Sequence, residues 1–139
     1  MKKSILLAAA ATVLVLAAPV SATTYHCTLT EQGTKNWIPR ELILTHDENT
    51  GKVTVLDPLI QHYKGGPIPG KVSTSNGRRT TYAWVLDKIT AKGGGQRQFA
   101  SELRYRITIQ KASHKATIWM QPAGYVNQFR GKGSCEVRN

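Results

Sequence analysis

The sequence predicts an all-β domain, a single small antiparallel meander of about eight strands curled into a barrel or packed as a β-sandwich, and three observations predict it. Apolar and polar residues alternate with period two between turn signals that recur about every ten residues. After the first 22 residues, apolar residues at helical spacing are hard to find. Cys27 and Cys135 stand near the two ends of the remaining chain, where one disulfide would tie the first strand to the last. Pinning the ends of a meander together suits a closed barrel, which has no exposed edge strand.

The first 22 residues read as a cleavable secretory signal. Lys2 and Lys3 form a positive n-region, residues 5–18 an uncharged apolar run, and Val20-Ser21-Ala22 the small-x-small pattern of a cleavage site. The run is shorter than the roughly 20 residues that span a hydrocarbon core. No second apolar run follows, so the mature chain, residues 23–139, is expected to form one domain with no transmembrane segment. Removing Lys2 and Lys3 leaves 17 basic against eight acidic residues, a formal charge of +9. The expected location is periplasmic or secreted.

Residues 25–30 read as the first strand, and 41–46 with 52–57 as a hairpin around Asp47-Glu48-Asn49-Thr50-Gly51. The segment Pro58–Gly70, with three prolines and three glycines, reads as a long surface loop, because proline cannot donate to a ladder. Residues 71–74 and 79–86 flank Ser75-Asn76-Gly77, where Asn-Gly is expected to supply the positive φ angles of a tight turn. Gly93-Gly94-Gly95 reads as a flexible stretch. The clearest strand is 102–110, with Leu103, Tyr105, Ile107 and Ile109 on one face and Arg104, Arg106, Thr108 and Gln110 on the other. Strands at 116–121, 125–129 and 133–138 complete the pattern.

Motifs for catalysis or cofactors are missing. His26, His46, His62 and His114 show no metal-ligand spacing, and His46-Asp47 opens a turn, where Asp is favoured for its local hydrogen bonds. The acidic residues lie singly or in turns and offer no evident carboxylate pair for hydrolysis. Neither Gly131-Lys132-Gly133-Ser134 nor the triple glycine has phosphate-loop spacing, and no Gly-x-Ser-x-Gly occurs. No enzymatic activity, cofactor or metal is expected.

The basic excess points outward. Arg78, Arg79, Arg97, Arg104, Arg106, Lys111 and Lys115 fall within residues 78–115, and Arg104 and Arg106 share the wet face of one strand. Arg79 and Lys115 could join them in a positive stripe that attracts a phospholipid headgroup or an acidic polysaccharide; nucleic acid is not expected. Three tryptophans and five tyrosines are enough to pack a small barrel, and Trp119 is counted among these core aromatics. Trp37 and Tyr63 lie in loops and are the aromatic candidates for a small apolar ligand at a barrel mouth.

Tyr25-x-Cys27 and Gly133-x-Cys135 give the chain an outline that resembles small periplasmic β-barrels, including some lysozyme-inhibitor domains. The resemblance covers those two tripeptides, and a domain at +9 would repel a basic lysozyme. The expected function is therefore a non-enzymatic binding or envelope-associated protein with a basic sheet face. A lipocalin-like carrier of a small apolar ligand, or an inhibitor of an envelope enzyme, is the alternative.

Overall fold

The computed structural model describes residues 22–33, 36–93 and 96–139, with the backbone alone over 90–93 and 96–100. Eight antiparallel strands close into a barrel in sequence order: β1 (Ala22–Glu31), β2 (Glu41–Asp47), β3 (Val53–Leu56), β4 (Ile68–Ser75), β5 (Arg79–Gly93), β6 (Gln96–Gln110), β7 (Lys115–Pro122) and β8 (Phe129–Arg138). A short helix, α1 (Pro58–Lys64), joins β3 to β4. The expected leader lies outside the described residues except for Ala22, which pairs with Asp47.

Alternation decides which side chains point inward. Leu42 and Leu44 of β2, Tyr82, Trp84 and Leu86 of β5, Leu103, Tyr105 and Ile107 of β6, and Ile118 and Met120 of β7 are each at most 3% exposed. They form one core, so the interior is filled with side chains. Trp84 and Tyr105 stack inside it with ring centroids 5.2 Å apart.

β1 and β8 close the barrel through eight cross-strand pairs, from Thr24 with Arg138 to Glu31 with Gly131. Cys27 faces Cys135 directly in this seam, and the two are disulfide-bonded and buried. Next to them the backbones approach so closely that a Cβ on Gly133 would stand 1.8 Å from the Thr28 carbonyl oxygen. Only glycine fits there.

Four local readings need correction. Pro58–Gly70 is not a loop throughout, because α1 occupies its first half and β4 begins at Ile68. Asp57 caps the helix by accepting a hydrogen bond from the Ile60 amide at 2.8 Å, Pro58 stands where no amide hydrogen is needed, and Gly65 ends it at φ 74°. Tyr63 is consequently a helical residue. At the β4–β5 turn neither Asn76 nor Gly77 has a positive φ; Asn76 Oδ1 instead accepts from the amides of Arg78 and Arg79, at 2.9 and 3.0 Å.

The stretch before the triple glycine is strand. β5 and β6 continue past their last partners on β4 and β7 as a two-stranded ribbon, from Asp87 paired with Glu102 to Gly93 paired with Gln96. Gly94, Gly95 and the side chain of Arg97 lie outside the described residues. Residues 125–128 form a loop in place of the expected strand, because Gly124 turns the chain at φ 81° and Gln121 Nε2 donates to the Tyr125 carbonyl at 3.0 Å.

The two ends of the barrel differ. Tight turns at 48–52, 76–78 and 111–114 close one end. The other carries the β1–β2 connection and α1, which contribute the buried Ile38 and Ile60 to the common core.

Candidate functional site

The register of β5 to β8 assembles a basic surface on the outside of the barrel. On β6, burial of Leu103, Tyr105, Ile107 and Ile109 turns Arg104 and Arg106 outward, both exposed. Arg106 pairs with Ala83 of β5 on one side and Trp119 of β7 on the other, and Trp119 pairs in turn with Arg130 of β8. Lys71 of β4 extends the rung beyond Ala83. Neighbours along such a rung stand about 4.8 Å apart in the direction of the hydrogen bonds, so the indole of Trp119 lies between two guanidinium-bearing positions.

The adjacent rung is polar and uncharged until its last member. Thr81, Thr108 and Thr117 stand side by side, followed by Lys132, and the hydroxyls of Thr81 and Thr108 are 2.8 Å apart. One rung further, Arg79 pairs with Gln110 and Lys115 with Ser134. In the opposite direction Arg104 stands between Val85 and Gln121.

These rungs line two adjoining concavities that share Arg106 and Trp119. The first, of about 470 Å³, is lined by Arg79, Thr81, Thr117 and Arg130 in addition to the shared pair. The second, of about 700 Å³, runs past Lys71, Arg104 and Gln121. Both fall in the size range of small-ligand sites.

Charge on this face is largely uncompensated. The ion pairs among the described residues join Lys64 to Asp87, Arg104 to Glu102 and Arg138 to Glu136. Arg104 therefore has a carboxylate at 3.2 Å, an exposed contact of little energetic weight. Lys71, Arg79, Arg106 and Arg130 have none, and Arg130 donates to the Gln128 side chain at 3.3 Å.

Of the six residues proposed from sequence, Arg79, Arg104 and Arg106 line these concavities, while Lys115 stands on the same outer face beyond the threonine rung. Trp37 and Tyr63 lie elsewhere. Trp37 is partly buried with its ring 6.1 Å from that of Phe129, and its carbonyl accepts from the Tyr105 hydroxyl at 3.0 Å. It borders an apolar cleft of about 390 Å³ with Ile38, Pro39, Leu59 and His62. Tyr63 packs against the core beside His62, with ring centroids 4.9 Å apart, and does not line that cleft.

Three residues of the face were not singled out from sequence. Trp119, expected among the core aromatics, is half-buried and outward, because Ala116, Ile118 and Met120 take the inward positions of β7. Arg130 falls between two expected strands that are really a loop and one longer strand. Lys71 lies on an expected strand and faces outward beside Ala83.

The remaining polar groups serve the fold. Asp47 Oδ1 accepts from the amides of Asn49 and Thr50, at 2.9 and 3.3 Å; desolvation, the largest single influence, opposes ionisation, but these bonds together with the Thr50 hydroxyl and the nearby His46 outweigh it and hold the carboxyl below its ordinary range. His46 Nδ1 lies 3.1 Å from the Tyr82 hydroxyl, whose pKa burial pushes up. Burial likewise raises Asp57 against the amide bonds of its cap. A further groove of about 520 Å³ crosses the outside of β1 and β2 beside α1 and carries Glu41 and Glu136 with His26 and Arg138, a mixed-charge lining. Among the described residues no three His, Cys, Asp or Glu side chains are grouped to hold a metal ion, and no helix is long and apolar enough to cross a membrane.

The fold and this surface define an eight-stranded antiparallel meander barrel, disulfide-closed, with a basic outer face. Comparison with protein-family profiles, with characterised proteins and with solved structures finds no match.

Proposed function

We propose that the chain is a non-enzymatic binding domain, exported to the periplasm or the cell exterior, whose basic sheet face contacts an anionic partner. The observation that carries this reading is the convergence of Lys71, Arg79, Arg106 and Arg130 on one outer face without a carboxylate partner among the described residues. Guanidinium groups left unpaired in a concavity favour carboxylate, phosphate or sulfate, which they can hold through two parallel hydrogen bonds. The buried Cys27–Cys135 bond is compatible with an oxidising compartment. A carried apolar ligand draws less support, because it would have to displace Tyr82, Trp84 and Tyr105 from a filled interior.

The test is retention of the mature domain on immobilised heparin and on anionic vesicles across a salt gradient. Binding through this face should weaken steeply with salt and weaken further in an Arg106→Gln, Arg130→Gln double variant. An Arg138→Gln control, at the other end of β8 and already paired with Glu136, should behave as wild type. Salt-insensitive elution, or equal loss in the control, would remove the support.

A further inference from the structure

Resting on the basic-face reading, we infer that the anionic partner is an acidic polysaccharide, whose sugar ring lies on Trp119 while its carboxylate or sulfate groups reach Arg106 and Arg130. The rung Lys71–Ala83–Arg106–Trp119–Arg130 places a flat, half-buried indole between two arginines. An aromatic face is electron-rich and attracts the slightly positive C–H edges of a pyranose. Acid groups carried at the ring's periphery would then meet guanidinium on either side.

The threonine rung supplies the second element of glycan recognition. Thr81, Thr108 and Thr117 present hydroxyls along one side of the Arg–Trp–Arg row, and each can donate to or accept from a sugar hydroxyl. The two concavities meet at Arg106 and Trp119, so the site continues to both sides of the indole and suits a chain rather than an isolated anion.

A phospholipid surface fits less well. Faces that lie on bilayers insert apolar side chains between headgroups. Of the large apolar side chains exposed among the described residues, only Val85 belongs to this face; Tyr125 and Val126 are in the β7–β8 loop and Val137 is at the end of β8. A bilayer would also bridge a concave lining that a flexible polymer can enter.

The experiment titrates the mature domain with defined oligosaccharides of one acidic series, heparin-derived or oligogalacturonate, with the matching neutral oligosaccharide as control. Intrinsic fluorescence and calorimetry give the affinity, and anionic vesicles and a single-stranded oligonucleotide are run in parallel. The acidic oligosaccharide should bind at least tenfold more tightly than the neutral one, and Trp119→Ala should weaken it at least tenfold while leaving the salt dependence nearly unchanged. Arg106→Gln, at an exposed position where folding is not in question, should instead flatten the salt dependence.

Vesicle binding without oligosaccharide binding would overturn the glycan inference and leave the basic-face reading standing. Salt-insensitive or undetectable binding to every polyanion would overturn both. Equal affinity for the oligonucleotide, unaffected by Trp119→Ala in a variant that melts as wild type, would likewise refute stacking on the indole. Should Trp119→Ala fail to fold, Trp119→Phe serves instead, and it should retain part of the affinity.

Discussion

Removing the disulfide tests the closure of the barrel most directly. Cys27 and Cys135 are 108 residues apart in sequence yet face each other across the β1–β8 seam. Cross-linking a loop of that length restricts the unfolded chain by about 5 kcal/mol in the chain-entropy treatment. Small domains are stable by only about 5 to 15 kcal/mol, so the bond supplies a large share of the total. At about 4 °C per kcal/mol for a domain of this size, a Cys27→Ala, Cys135→Ala variant should melt about 20 °C lower. Both sulfurs are buried, at 3% and 4% residue exposure, so dithiothreitol should reduce the wild type slowly until denaturant opens the seam. Urea unfolding followed by circular dichroism, with and without reductant, measures the difference. The oxidised protein should also show a smaller m value, because its cross-linked unfolded state exposes less surface. A loss below about 1 kcal/mol with an unchanged m value would refute the argument, since the bond would then not be constraining the unfolded chain.

Two other substitutions probe the same structure. Gly133→Ala places its Cβ against the Thr28 carbonyl and should cost more than about 4 kcal/mol or prevent folding, while Gly77→Ala, in open space, should stay within about 0.5 kcal/mol; denaturant unfolding compares the two. Burial raises the pKa of Asp57, so the stability it contributes is present below the ordinary carboxylate range and lost as pH rises through the raised value. Asp57→Asn keeps an oxygen to cap α1 and should therefore melt higher than wild type at neutral pH, a gain that thermal melts at acid pH should show vanishing; Asp57→Ala, without a cap, should lose about 1 kcal/mol.

Strand count, meander order and disulfide closure are legible because each depends on short-range signals. Residues 103–110 alternate without interruption, and two cysteines admit a single intramolecular pairing. Where reading failed, a second local signal competed with the one used. Pro58, Pro67 and Pro69 mark a break in strand, yet Asp57 followed by Pro58 is also a helix start, and Gly65 a helix stop. Counting Trp119 with the core aromatics overlooks the alternation Ala116, Ile118, Met120, which takes the inward face and leaves Trp119 outward with Thr117 and Gln121. Aromatic character alone is a poor guide to facing on a strand, because alternation along the strand fixes direction. The partnership of Trp119 with Arg106 and Arg130 lies outside what one strand can reveal, since it depends on two hairpin registers at once.

Net charge, by contrast, was legible in amount and silent on place. The eight carboxylates are all among the described residues, and none stands on the outer rungs between Arg104 and Lys132. Glu31 at the end of β1 accepts from the Trp37 amide, Glu41 lies on β2 across the barrel, Asp47 and Glu48 sit at a turn, Asp57 at the helix cap, Asp87 and Glu102 at the base of the β5–β6 ribbon, and Glu136 near the end of β8 beside Arg138. The formal excess of +11 over the whole chain therefore does not spread as a uniform coat. Lys71, Arg79, Arg106 and Arg130 share a face without carboxylate partners among the described residues, while Arg104 meets Glu102 at its edge and Arg138 meets Glu136 at 3.4 Å near the end of β8. Register makes this separation: a slip of one residue on β6 would turn Arg104 and Arg106 into the filled core and Tyr105 and Ile107 into water, at a cost no such small domain could bear. The packing that forbids the slip is the same packing that holds the guanidinium groups on the outside, in one row with an indole between them.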